Sequence, residues 1–127
     1  MPDAQLQFIE VGEGAAARRI AVLRREGTAP GVVWLGGFRS DMTGAKAGAL
    51  DELGVETGAA VTRFDYSGHG QSGGDFLDGT ISRWLEEAIA VFATTHGPQV
   101  VVGSSMGGWI ALLLAQQIPE KLAGLVG

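Results

Sequence analysis

The sequence predicts an α/β fold: a mostly parallel sheet with flanking helices. Three observations carry that reading. Short apolar runs bounded by glycine alternate with segments of helical period along the chain. Two of the runs, "GVVWLGG" and "PQVVVGS", are apolar almost without a break, which suits strands covered on both faces. The elements follow the order β-β-β-α-β-α-β-α-β, and strands separated by a helix pair in parallel.

Each element has its own local reason. "LQFIEV" and "RRIAVLRRE", joined by "GEGAAA", read as a hairpin. "GVVWLGG" begins at Gly31 and is bounded by Pro30 and two glycines. A helix is predicted after Ser40 or Asp41, ending at Gly54, because Met42, Ala45, Ala49, Leu50 and Leu53 fall on one helical face. Gly44 and Gly48 weaken that helix, so close packing is expected at both. "AAVTRFDY" is the next strand, followed by a loop from Ser67 to Gly79. Thr80 caps a helix whose stripe is Ile81, Trp84, Leu85, Ala88, Ile89 and Phe92. "PQVVVGS" is a strand, and "MGGWIALLLAQQIP" is a helix apolar almost all round, expected to be buried on several sides. "LAGLVG" starts another buried strand. No internal repeat or linker appears, so residues 1–127 read as a single domain.

Composition excludes several function classes. The net charge is -5, and the nine Lys and Arg residues are scattered, so nucleic acid is not an expected partner. With no cysteine, disulfides, thiolate metal sites and cysteine nucleophiles are absent. The start, "MPDAQLQFIEVGEG", lacks the basic and apolar regions of a secretory signal. The longest apolar run, in "WIALLLA", is far short of the roughly 20 residues of a membrane span. A cytoplasmic protein is expected. No His, Asp and Glu cluster has metal-ligand spacing, and the glycine loops match no nucleotide motif, so no metal or cofactor is predicted. Nothing in the sequence sets an oligomeric state.

The 21 glycines cluster where apolar runs end: "LGGF", "SGHGQSGGD" and "VGSSMGGW". Gly103, Ser105 and Gly107 form G-x-S-x-G between a strand and a helix, the context in which a serine Oγ stands exposed on a tight turn. The flanking glycines are in register with Ser105 and not with Ser104, which makes Ser105 the candidate nucleophile. Acyl transfer needs two donors for the developing oxyanion. The candidates are the backbone N–H groups of Met106, directly after the serine, and of Phe38, in the turn after the earlier buried strand. That turn also reads as a plain strand-to-helix connection. In "FDYSGHGQSGGD", Asp65 is expected to hold the loop through backbone hydrogen bonds. His69 is a weaker candidate base. His96 precedes the strand leading to Ser105 and is expected at the opposite end of the sheet. Trp84 and Phe92 read as core, Trp109 as helix packing in preference to a contact with an acyl pocket, and Arg39 as either a substrate contact or a solvated side chain.

These segments together resemble the first half of an α/β-hydrolase. "SDMTGAKA", "RFDYSGHGQS" and "VGSSMGGW" are similar to the branch of palmitoyl-protein thioesterases and acyl-glucuronide hydrolases, with its bacterial relatives. The resemblance runs from about Gly31 to Gly127. It implies hydrolysis of a small-molecule or acyl-protein ester or thioester through an acyl-enzyme on Ser105, with Phe38 and Met106 supplying the oxyanion N–H groups. In that branch the triad acid and histidine follow later strands, which places them beyond Gly127. Domains of this kind need roughly 200 residues. A partial domain, truncated at its C-terminus, nearly inactive alone and poorly soluble, is therefore expected. Two other readings stay open. One is a non-catalytic binding or assembly module using an open sheet edge at "LAGLVG". The other is an acyltransferase or carbon–carbon hydrolase on the same scaffold.

Overall fold

The computed structural model describes residues 4–127. The chain opens with an antiparallel hairpin, β1 (Gln5–Val11) and β2 (Arg18–Arg25), in which Val11 faces Arg18. β2 continues antiparallel onto β4 (Ala59–Phe64). β3 (Thr28–Leu35), β4, β5 (Gln99–Gly103) and β6 (Leu122–Val126) run parallel, joined by α1 (Ala45–Thr57), α2 (Ile81–Ala93) and α3 (Met106–Gln117). The order across the sheet is β1-β2-β4-β3-β5-β6. The predicted element order and the mostly parallel sheet are both observed.

Strand alternation divides the interior. Ile20, Val22, Val33, Leu35, Phe64 and Val101 join Trp84, Ala88, Val91 and Phe92 of α2 and Ile110, Ala111 and Leu114 of α3 in one buried cluster. The residues between them in sequence face α1: Arg25 and Arg63 both reach Asp51. β3 sits between β4 and β5, so the chain leaves it in one direction and later returns on its other side. The loop after β3 leads to α1 on one face, and the loop after β5 leads to α3 on the other. That divergence leaves a crevice at the carboxyl ends of β3 and β5, where open α/β sheets bind ligands.

Three expectations about the helices are corrected. α1 begins at Ala45 and runs to Thr57, past Gly54. Its buried residues are Ala47 and Gly54, whereas Leu53 is exposed and Met42 is buried ahead of the helix. The apolar spacing had joined a loop residue to a helix whose inner face is small and polar. Close packing falls at Gly54, not at Gly44 or Gly48: a Cβ at Gly54 would lie 2.5 Å from Val61 Cγ2, whereas one at Gly48 would meet nothing within 4 Å. α3 buries only the face carrying Gly107, Ile110, Ala111 and Leu114, leaving Trp109 and Leu112 exposed. In α2 the predicted stripe holds: Trp84, Leu85, Ala88 and Phe92 are buried, and Thr80 Oγ1 accepts the Arg83 N–H at 3.1 Å.

Candidate active site

Ser105 stands between β5 and α3 with φ 57° and ψ -117°, a region that L-residues seldom occupy. Holding such a backbone costs about 1–3 kcal/mol and requires tight surroundings. The glycines of the motif explain how it is held. A Cβ at Gly103 would lie 2.5 Å from the Gly107 carbonyl oxygen, and one at Gly107 would collide with the carbonyls of Leu35 and Gly36. Both positions must be glycine so that the turn, the first turn of α3 and the end of β3 can meet. Gly108 carries no such demand, its nearest neighbour being 3.8 Å away.

The two serines have different surroundings. Ser104 is half-buried, its N–H donates to the Leu35 carbonyl at 3.2 Å, and its Oγ accepts from Lys46 Nζ at 3.2 Å. Ser105 is exposed, and among the described residues no side chain hydrogen-bonds its Oγ. It opens onto two grooves. One, about 410 Å³, is mixed, with Trp34, Phe38 and Ala47 beside the polar groups of Ser40, Asp41, Lys46 and Ser104. The other, about 630 Å³, is apolar, lined by Phe38, Ile81, Trp84, Met106 and Trp109. Trp109 therefore faces a groove rather than packing its helix.

The turn after β3 lies directly against Ser105. A Cβ at Gly37 would be 3.6 Å from Ser105 Cβ. Residues 37–40 close through the Ser40 N–H to the Gly37 carbonyl at 3.1 Å, with Arg39 at φ 61° in the third position, as in a type II turn. Among the described residues, the N–H groups of Phe38 and Met106 have no hydrogen-bond partner. Met106 is the first residue of α3, where an N–H lacks an intrahelical partner and the helix dipole favours negative charge. No acidic residue lies in that first turn to compete. The structure thus brings Ser105, Phe38 and Met106 to one rim of the sheet.

The loop after β4 supports this turn. Asp65 is buried, and its carboxylate accepts the N–H of Met42 at 2.8 Å and of Gln71 at 2.9 Å. That is the loop-holding role read from sequence. Burial pushes the Asp65 carboxyl above the ordinary carboxylate range, against the two backbone hydrogen bonds, which act in the other direction. His69 is buried with both ring nitrogens engaged: Nδ1 lies 3.0 Å from the Ser67 carbonyl, and Nε2 accepts the Arg39 N–H at 3.0 Å. His96 lines a small pocket with Arg24, Gly27 and Gln99 at the opposite end of the sheet. Arg39 is exposed and does not line the groove beside Ser104. Its guanidinium lies 5.0 Å from the Phe76 ring centre and 5.7 Å from that of Phe38.

Sequence reasoning missed Glu87. It is fully buried and accepts from Ser67 N–H (2.7 Å), Ser67 Oγ (2.5 Å) and Arg18 Nε (2.9 Å), tying α2 to the loop after β4. The signal was present, since Glu87 falls on the same helical face as Trp84, Ala88 and Val91. Among the described residues, no group of three or more His, Asp or Glu could hold a metal ion, and no helix is long and apolar enough to cross a membrane.

Residues 32–127 match the model of the serine aminopeptidase S33 family. The chain belongs to that family. Its fold is that of the α/β-hydrolases. Over 125 residues this S33-family chain is 38% identical to the mouse mitochondrial palmitoyl-protein thioesterase ABHD10, covering 98% of its own length and 41% of the relative's. The solved structure of the mouse α/β hydrolase domain-containing protein 10 superposes with a TM-score of 0.89 at 36% identity, over 96% of this chain and 48% of that one. A hydrolase-like protein from Agrobacterium vitis S4 superposes with a TM-score of 0.91 at 49% identity, over 97% and 50%. The S33-family chain therefore spans half or less of the length of these relatives.

Proposed function

We propose that the full-length protein is a serine hydrolase of carboxylic esters or thioesters. The observation that carries this reading is the strained, exposed Ser105 beside two unpartnered backbone N–H groups, those of Phe38 and Met106. In the proposed reaction Ser105 Oγ attacks the substrate carbonyl while its proton passes to a base. The carbonyl oxygen becomes an oxyanion held by the two N–H groups. The intermediate collapses, expelling the alcohol or thiol with that proton and leaving an acyl-enzyme. Water, deprotonated by the same base, then releases the acid. The apolar groove fits the acyl chain, and the mixed groove, with its Ser40, Asp41 and Lys46 groups, fits the leaving group. Relatives named as palmitoyl-protein thioesterases support this substrate class.

The activating pair is proposed to lie outside Met1–Gly127. His69 is committed at both nitrogens, and His96 is at the far end of the sheet. Without a base, Ser105 is an ordinary alcohol, so the 127-residue chain alone is expected to be nearly inactive. A second reading, a non-catalytic assembly module, has one observation in its favour: β6 is an edge strand with Leu125 and Val126 exposed.

Steady-state hydrolysis of p-nitrophenyl esters and acyl thioesters by the full-length protein separates the two. Ser105→Ala is expected to lower kcat by about 10³-fold or more, while Ser104→Ala stays within about fivefold of native. No turnover by the native protein would favour the module, whereas turnover that does not depend on Ser105 would overturn its assignment as the nucleophile.

A further inference from the structure

The loop after β4 contains a histidine that the proposed reaction leaves unused. We propose that His69 is a positioning residue for the oxyanion site: its Nε2, by accepting the Arg39 N–H, fixes the Phe38–Arg39 peptide and, through it, the turn whose preceding Gly37–Phe38 peptide presents the Phe38 N–H beside Ser105. This rests on the reading of Phe38 as an oxyanion donor.

Three observations carry it. First, Arg39 sits at φ 61°, in a turn position where glycine is the unstrained choice. A strained residue persists only where its surroundings over-determine it. Second, the Arg39 N–H donates its only hydrogen bond among the described residues to His69 Nε2, at 3.0 Å. That nitrogen can accept only if it carries no proton, so the proton is on Nδ1, which donates to the Ser67 carbonyl at 3.0 Å. The Ser67 carbonyl thus sets the tautomer, and the tautomer sets the turn. Third, the imidazole cannot swing away. It is 6% exposed and packed edge-on against Trp84 at 5.4 Å and Tyr66 at 5.9 Å between ring centres, and tilted against Phe76 at 5.3 Å. Ser67 is itself fixed by the buried Glu87. A rigid chain of contacts therefore runs from α2 through Ser67 and His69 to the peptide before Arg39.

The arrangement also partitions two adjacent donors. With the Arg39 N–H engaged by His69, the Phe38 N–H is left free at the rim. Loss of the acceptor would let the Phe38–Arg39 peptide rotate out of its strained conformation, and the adjoining Gly37–Phe38 peptide, with its donor, would shift as the turn relaxes.

The test compares His69→Phe, which keeps an aromatic ring but no acceptor, with His69→Gln, whose Oε1 can take the place of Nε2. Both are made in the full-length protein, with Ser105→Ala alongside. His69→Phe is expected to lower kcat by about 10²-fold with KM within about threefold, because a displaced donor is lost mainly in the transition state. His69→Gln is expected to recover at least about tenfold of that loss. Native kcat in His69→Phe overturns the proposal. So does a His69→Gln variant as slow as His69→Phe, which would make His69 a proton carrier. Persistence of activity in Ser105→Ala would instead defeat the nucleophile reading. The proposal is then judged on the imidazole ¹⁵N spectrum of the native protein, where a protonated Nδ1 and bare Nε2 support it and the opposite tautomer overturns it.

Discussion

Among the described residues, two besides glycine have a positive φ, Arg39 and Ser105, and both border the proposed oxyanion site. Each is held by neighbours that forbid relaxation: the Gly103 and Gly107 contacts for Ser105, the His69 acceptor and two aromatic rings for Arg39. The strain at Arg39 makes a prediction of its own. Glycine adopts a positive φ without penalty, so in an Arg39→Gly background the turn needs its anchor less. Thermal or urea unfolding of His69→Phe, Arg39→Gly and the double variant should give a coupling energy of about 0.5–1 kcal/mol, with His69→Phe less damaging beside Arg39→Gly. Simple additivity would deny that His69 supports the turn. The tight turn at Ser105 was legible in the sequence because the demand on its neighbours is local: two glycines at fixed offsets between a strand and a helix. The His69–Arg39 bond was not, because its partners are 30 residues apart and meet only when β3 and β4 pair.

At the scale of elements, α1 and α2 are attached by different physics. α2 carries a broad apolar stripe, which is why its position and its cap could be read from spacing. α1 buries little apolar side chain and is fastened instead by Asp51, which accepts from Arg25 Nε (2.8 Å) and Nη2 (2.9 Å) and lies 3.6 Å from Arg63 Nη2. Such a helix has no clear periodic signature, so its boundaries and inner face escaped a hydrophobic reading. The hydrogen bonds from Arg25 hold the Asp51 carboxyl below the ordinary carboxylate range, with the charge of Arg63 adding and partial burial opposing. A carboxyl depressed in the folded state binds protons more weakly there than in the unfolded chain. Its stabilisation is therefore complete above the unfolded value and lost as pH falls through the folded one. Asp51→Asn is expected to lower stability at pH 7 by about 1.5–3 kcal/mol. The difference from native should shrink as urea unfolding is repeated from about pH 5 downward. A pH-independent difference would mean that Asp51 acts by packing alone.

For the whole molecule, the sheet order places the chemistry. Because β3 lies between β4 and β5, the turns after β3 and β5 diverge, and Phe38, Ser105 and Met106 come to one crevice from segments far apart in sequence. Alternation of glycine-bounded apolar runs with helical segments was enough to predict this architecture, since each βαβ unit is local. What spacing could not show is how the unit's loops brace one another, through Asp65 to Met42, His69 to Arg39 and Glu87 to Ser67. In the proposed reaction this braced turn presents one reactive serine. The most direct measurement treats the full-length protein with a fluorophosphonate and maps the adduct by peptide mass spectrometry, in native, Ser104→Ala and Ser105→Ala forms. A single adduct on Ser105, kept in Ser104→Ala and lost in Ser105→Ala, is expected. An adduct on Ser104, or labelling that survives in Ser105→Ala, would contradict it.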